Sequence, residues 1–220
     1  RLNGKYSAVA HDTEENAEPY LQAFDGFMTW RWTDENHIPL FQSIYAGRVQ
    51  FTGKLFDHQK SGSSESFFVK CAEQLVCAEQ IGWFLLSDMN FPSKKKLYVK
   101  KMSHLRNTLL DWFNGADMLH PLKFKGEMPE VATKWGAIVP AMITTPKIRH
   151  SVWKHGDDIM IVFVNSVNEK ISVEAEIDLD NYGFKNKSAD LGICRESTET
   201  PELKSISSRS IQKLELSPLK

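Results

Sequence analysis

Along the chain, apolar residues follow a helical spacing in the first half and a strand-like spacing in the second. In "SGSSESFFVKCAEQLVCAEQIGWFLL" a Ser/Gly loop leads to a cap-like Ser64-Glu65 pair. Phe67, Phe68, Cys71, Leu75, Ala78 and Ile81 then recur at threes and fours, which predicts a helix with one apolar face. A second helix is expected over "LYVKKMSHLRNTLLDWFNGA", striped by Leu97, Val99, Met102, Leu105, Leu109 and Trp112 and stopped at Asn114-Gly115. Upstream, "KYSAVAHD" reads as a buried strand running into a polar loop, and "AEPYLQAF" as a turn or two of helix with Pro19 in its first turn. "FDGFMTWRW" reads as a second strand, and "IPLFQSIYAGRVQFTG" as a third apolar segment broken at Gly47 and Gly53.

Near residue 120 the period changes. "AIVPAMITT", "KIRHSVWKHG", "DIMIVFVNSV", "KISVEAEIDL" and "SIQKLELSPL" are short apolar or alternating runs. Turn signals at residues 155–158 and 165–168 separate some of them, as in an antiparallel β-sandwich of about 90 to 100 residues. Trp153, Phe163 and Val164 are expected in its core, and Asn165 in a turn. The fold class is therefore α/β followed by all-β.

Composition removes several function classes. A net charge of −1, from 27 basic and 28 acidic residues, gives no footprint for nucleic acid. No apolar run has the length of a membrane span. Cys71, Cys77 and Cys194 form no metal pattern, and the first two read as small core residues. The histidines lack metal-ligand spacing; His104, His120 and His155 read as surface or hydrogen-bonded residues. The basic run "SKKKLYVKK" reads as a solvated loop and helix face, and neither a metal nor another cofactor is expected.

The phrases "TEENAEPY", "FDGFMTW", "IPLFQSIYAGRV", "AEQIGWF", "LRNTLLDWFNGADMLHPLKFKG" and "SVWKHGDDIMIVFVNSVNEKISVEAEIDL" carry a resemblance across nearly the whole chain. They are similar to the closing part of a group of bacterial (β/α)8-barrel glycoside hydrolases, distantly akin to the α-galactosidase and endo-α-N-acetylgalactosaminidase type. The resemblance implies that residues 1–118 are the last strand–helix units of a barrel and residues 119–220 an antiparallel β-sandwich. A whole barrel needs about 250 residues, so the barrel here is expected to be incomplete. The chain opens on "RLNGKYSAVA" without an initiator Met, as a processed chain or a fragment does. The N-terminal remainder of the protein, or another chain, is then the expected cover for an open barrel edge, and the isolated piece is expected to be inactive. The implied activity is cleavage of a glycosidic bond by paired carboxylates, on a carbohydrate substrate and in an extracytoplasmic setting.

On the barrel reading, Asp12 and Glu14 lie just past the end of the first strand, where barrel active sites are built. Glu14 and Glu18 are the candidate catalytic carboxylates, unless the second acid lies on an earlier strand outside the chain. The alternative is a plain acidic helix start, with Asp12, Thr13 and Glu14 facing the helix dipole. Asp25 reads as a substrate ligand or an ordinary turn residue. Trp30 and Trp32 alternate onto one strand face, as a stacking platform for a sugar ring or as buried aromatics. Tyr45 and Arg48 offer a hydroxyl and a guanidinium near Gly47. Glu79 and Trp83, in "AEQIGWF", suit a pocket wall or a capped helix end. The competing function class is a non-catalytic carbohydrate-binding or structural module, which an exposed aromatic strip on the β-rich half would favour.

Overall fold

The protein is seen in a computed structural model that describes residues 12–14, 26–28, 39–45, 49–52, 64–82, 93–135, 141–184, 188–194 and 202–218. The helix expected over "AEPYLQAF" lies outside the described residues.

Three short strands form a parallel sheet in chain order: β1 (Asp12–Glu14), β2 (Gly26–Met28) and β3 (Gln50–Thr52). Asp12 pairs with Gly26 and Glu14 with Met28, while Phe27 pairs with Phe51. A parallel bridge from Thr52 to Gln80 adds a fourth position on the same side as β3. Parallel neighbours need a crossover between them. Helix α1 (Leu40–Tyr45) stands between β2 and β3, and α2 (Ser64–Val76) between β3 and Gln80. The apolar segment "IPLFQSIYAGRVQFTG" is thus a helix followed by a strand. Its Phe51 is buried beneath Phe41, Tyr45 and Val49.

Residues 12–14 are strand, which corrects their placement in a loop past the strand's end; the helix start expected after them lies outside the described residues.

Helix α2 departs from the one-faced pattern. Ser66, Lys70, Glu73 and Gln74 are buried along with the apolar stripe, because the helix is enclosed on more than one side. It packs on α3 (Ser93–Thr108) and on strands from the second half of the chain. The single helix expected after it is two: α3 ends at Thr108, and α4 (Leu110–Gly115) follows a turn at Leu109.

From residue 117 onward every strand pairing is antiparallel. β4 (Asp117–Leu119), β8 (Ile148–His155) and β9 (Asp158–Asn165) form one sheet. β5 (Lys123–Lys125), β10 (Ile171–Asp178) and β13 (Arg209–Leu216) form another. Two hairpins complete the set: β6 (Glu130–Trp135) with β7 (Ala141–Pro146), and β11 (Ser188–Ile193) with β12 (Glu202–Ser207). The expected strands match β7, β8, β9, β10 and β13, whereas β4, β5, β6, β11 and β12 were not anticipated. A two-residue turn joins β8 to β9, with Gly156 at φ +61, where a side chain would be strained.

β8 and β9 are covered on both faces. Val152, Ile161 and Phe163 pack with Ala175 and Ile177 of β10 in one apolar layer. Their neighbours Trp153, Val162 and Val164 point the other way, into the layer formed by α2, Tyr98 of α3 and Phe113 of α4. That two-sided burial explains why "DIMIVFV" is a continuous apolar run, whereas "ISVEAEID" of β10, solvated on one face, alternates. The Phe113 ring meets Trp153 edge-on at 5.2 Å between centroids. Cys71 and Cys77 are buried in the same layer.

Candidate functional site

The parallel strands share one direction, so their C-terminal ends define one side of the sheet. Glu14 closes β1, Met28 closes β2 and Thr52 closes β3. In chain order Glu18 comes after β1, Trp30 and Trp32 after β2, and Trp83 after Gln80. Asp25 comes immediately before β2, Tyr45 and Arg48 before β3, and Glu79 before Gln80. Glu18, Asp25, Trp30, Trp32, Arg48 and Trp83 themselves lie outside the described residues. In chain order the remaining candidates therefore divide into those that follow a strand and those that precede one, while Asp12 and Glu14 lie within β1.

Two described candidates belong to the second group. Tyr45 is half-buried and stacks on Phe41 of its own helix turn, with centroids 5.9 Å apart. Glu79 is fully buried, and its Oε1 accepts a hydrogen bond from Gln42 Nε2 at 2.7 Å. Gln42, on α1, is itself fully buried. That hydrogen bond ties the chain after α2 to α1.

The path to Glu79 begins where α2 ends. Glu79 N–H donates to the Gln74 carbonyl and Ala78 N–H to the Leu75 carbonyl, the paired bonds of a left-handed helix stop. Ala78 takes the left-handed residue at φ 58, a position where glycine is usual. Arg106 of α3 closes the turn: Nε donates to the Glu79 carbonyl at 2.8 Å and Nη2 to the Ala78 carbonyl at 3.2 Å. Burial lowers the pKa of this guanidinium from its ordinary value. Gln80 N–H then donates to the Phe51 carbonyl, and Gly82 N–H to Gln74 Oε1 at 3.2 Å.

Gln42, Gln74 and Arg106 were not singled out in the sequence. The available signal was weak, a glutamine next to an apolar residue: Gln42 follows Phe41, and Gln74 precedes Leu75.

A second polar group lies between α2 and the antiparallel half. Arg149 Nη1 of β8 stands 3.0 Å from Glu73 Oε2, and Arg149 Nη2 donates to Thr145 Oγ1 of β7. Ser66 Oγ donates to the Lys134 carbonyl of β6 at 2.6 Å. The adjacent His150 is wedged between Phe124 and Phe163, and burial is the main cause that lowers its pKa to about 4. Cys71 offers no thiolate nucleophile, since burial raises its pKa well above the usual thiol value. No group of histidines, cysteines and carboxylates able to hold a metal occurs among the described residues. No described helix is long and apolar enough to cross a membrane.

Comparison with known proteins gives a narrow relationship. No family model matches the chain. Over 80 residues it is 30% identical to a protein of Monosiga brevicollis named a putative glycoside hydrolase, a match covering 34% of this chain and 7% of that protein. Among solved structures, it is similar to a noncanonic maltogenic alpha-amylase, AmyB, of Thermotoga neapolitana, at 12% identity and a TM-score of 0.42. That match spans 97% of this chain and 53% of the amylase, a likeness too low to establish a common fold.

Proposed function

We propose that this chain is the C-terminal part of a (β/α)8-barrel glycoside hydrolase, with residues 1–118 as closing strand–helix units and 119–220 as an antiparallel β-sandwich. The observation that carries this is the parallel order β1-β2-β3-Gln80, with sequential neighbours, α1 between β2 and β3, and α2 between β3 and Gln80. A barrel grows in that way, each new strand beside the last; a doubly wound sheet reverses order partway. The partial identity to a protein named a putative glycoside hydrolase supports the same reading.

Barrel enzymes build their sites where the strands end. Glu14 and Glu18 are the best-placed carboxylates on that criterion, and Trp30, Trp32 and Trp83 belong to the same side in chain order. One carboxyl group protonates the departing glycosidic oxygen, and the other acts as nucleophile or base across the ring. Asp12, Asp25, Tyr45, Arg48 and Glu79 are weaker substrate ligands on the same criterion. The chemistry requires no cofactor.

The carbohydrate-binding-module reading has less support. Among the described residues the exposed large apolar side chains are Leu40, Ile44, Leu97, Met142, Ile193, Leu203 and Ile211, all non-aromatic. A sugar-stacking strip needs aromatic faces. On the outer face of β5-β10-β13, Lys125, Glu174 and Lys213 stand side by side, a solvated charge row.

The test compares the intact protein with residues 1–220 on a panel of 4-nitrophenyl α- and β-glycosides. Turnover by the intact protein alone is the expected result. Turnover by residues 1–220 alone would refute the partial barrel, and an inert intact protein would refute the glycosidase.

A further inference from the structure

The basic run "SKKKLYVKK" lies wholly within α3. Over Ser93–Thr108 this helix carries Lys94, Lys95, Lys96, Lys100, Lys101 and Arg106 and not one carboxylate. Arg106 is engaged by the carbonyls of Ala78 and Glu79, and Lys95 Nζ lies over the Phe67 ring at 5.0 Å. Lys94, Lys96 and Lys100 are exposed, and none of the ion pairs among the described residues involves them. Helix stability alone argues against this arrangement. The first turn is the positive end of the helix dipole, where carboxylates are favoured and cations are not, yet Lys94, Lys95 and Lys96 stand there with no acid beside them. Lys96 and Lys100 are also neighbours one turn apart, a like-charge pair that weakens the helix. A merely solvated face alternates acids with bases at that spacing. The chain as a whole carries a net charge of −1, so the cationic excess is local to this helix.

We infer that the outer face of α3 binds an acidic polysaccharide, whose repeated carboxylate or sulfate groups meet Lys96 and Lys100, with Lys94 at the helix tip. The carbohydrate part of this rests on the proposed function, and the anionic part on the lysines. Positions 96, 100, 103 and 107 share one helical stripe. Ser103 and Asn107, both exposed, therefore continue the row with a hydroxyl and an amide that can pair with sugar hydroxyls. A lipid surface fits less well. Tyr98, Val99, Met102 and Leu105 face the core, which leaves Leu97, 43% exposed, as the large apolar side chain on the outer side of the helix. Nucleic acid fits less well too. The exposed residues of α3 include no arginine fork for base edges and no aromatic ring for stacking.

The experiment uses the intact protein that carries this chain, as wild type and as Lys94→Gln/Lys96→Gln/Lys100→Gln. A control with the same change of charge, Lys125→Gln/Lys204→Gln/Lys213→Gln, takes exposed lysines of the antiparallel half. Binding to polygalacturonate, dextran sulfate, neutral soluble starch, duplex DNA and phosphatidylserine vesicles is measured at 50 and 200 mM NaCl. Melting temperature and turnover of 4-nitrophenyl glycosides are measured alongside. Wild type is expected to bind polygalacturonate or dextran sulfate more tightly than DNA or vesicles, and more weakly at the higher salt. The α3 variant loses at least tenfold of that affinity and the control less than twofold. Starch binding is the same in all three proteins, and the α3 variant melts no lower than wild type. No binding to either acidic polysaccharide, equal losses in the two variants, or tighter binding to DNA or vesicles would overturn the inference. So would a lower melting temperature of the α3 variant, which would assign the lysines to the fold. Turnover of glycosides without acidic-polysaccharide binding overturns this inference and leaves the glycosidase reading standing; binding without turnover does the reverse.

Discussion

His150 sits on β8 with the Phe124 ring edge-on at 4.9 Å and the Phe163 ring at 6.2 Å. Burial between them lowers its pKa to about 4, against 6.5 for a free imidazole, and the Arg149 cation beside it works in the same direction. Between those values the unfolded chain binds the extra proton and the folded one does not. Stability is therefore fully present above about pH 6.5 and is lost as pH falls toward about 4, by at most roughly 3 kcal/mol. Urea unfolding of wild type and His150→Phe at pH 7 and pH 4.5 checks this, since other titrating groups are common to both proteins. The variant is expected to lose markedly less stability on acidification. Equal losses would mean that His150 titrates normally in the folded protein.

At the scale of elements, α2 is the member that joins the two halves. Its Glu73 meets Arg149 of β8, its Ser66 meets β6, and its apolar side packs on Trp153, Val162 and Val164. Arg149→Met removes one partner from a mostly buried ion pair and is expected to cost about 3 kcal/mol. The double variant Glu73→Leu/Arg149→Met should cost clearly less than the two single changes summed, as a double-mutant cycle by denaturant unfolding will register. Strict additivity would show that the pair is not energetically coupled. Phe113→Ala removes the ring that packs edge-on to Trp153 and should cost about 3 to 5 kcal/mol, read from the same unfolding curves. A loss under about 1 kcal/mol would mean that the layer between the halves closes over the gap.

The legible elements were those whose environment is simple. β10 alternates because one face is wet, and Val99, Met102 and Leu105 of the expected α3 stripe pack inward, whereas Leu97 is exposed and the buried Tyr98 falls outside that stripe. The unanticipated strands, β4, β5 and β6 among them, are three to six residues long and interrupted by Asp, Lys, Glu or Thr, too short for a period to emerge. The buried polar residues of α2 fall outside the one apolar face that the spacing predicts, because no local pattern announces that a second layer covers them.

At the scale of the whole molecule, a parallel sheet whose strands add in chain order is followed by antiparallel sheets, two of which, β4-β8-β9 and β13-β10-β5, pair strands far apart along the chain. Of the candidate site, the acidic phrase was legible as a cluster of carboxylates, but its backbone was not. Asp12 and Glu14 are paired strand residues opposite Gly26 and Met28, and strand pairing depends on partners far along the chain. Glu79 is legible as a candidate from its neighbours Gln80 and Trp83, but its burial against Gln42 is not, since that residue sits on a helix that sequence spacing could not bring to it.

The central claim is that Glu14, the last residue of β1, is a catalytic carboxylate of a glycoside hydrolase. The most direct measurement is steady-state turnover of a 4-nitrophenyl glycoside by the intact protein, wild type against Glu14→Gln, with circular dichroism to confirm the fold. The amide can neither protonate a leaving oxygen nor attack a sugar, so kcat is predicted to fall by about 10² to 10⁴ with the fold unchanged. Turnover of the folded Gln variant within a fewfold of wild type would contradict the account.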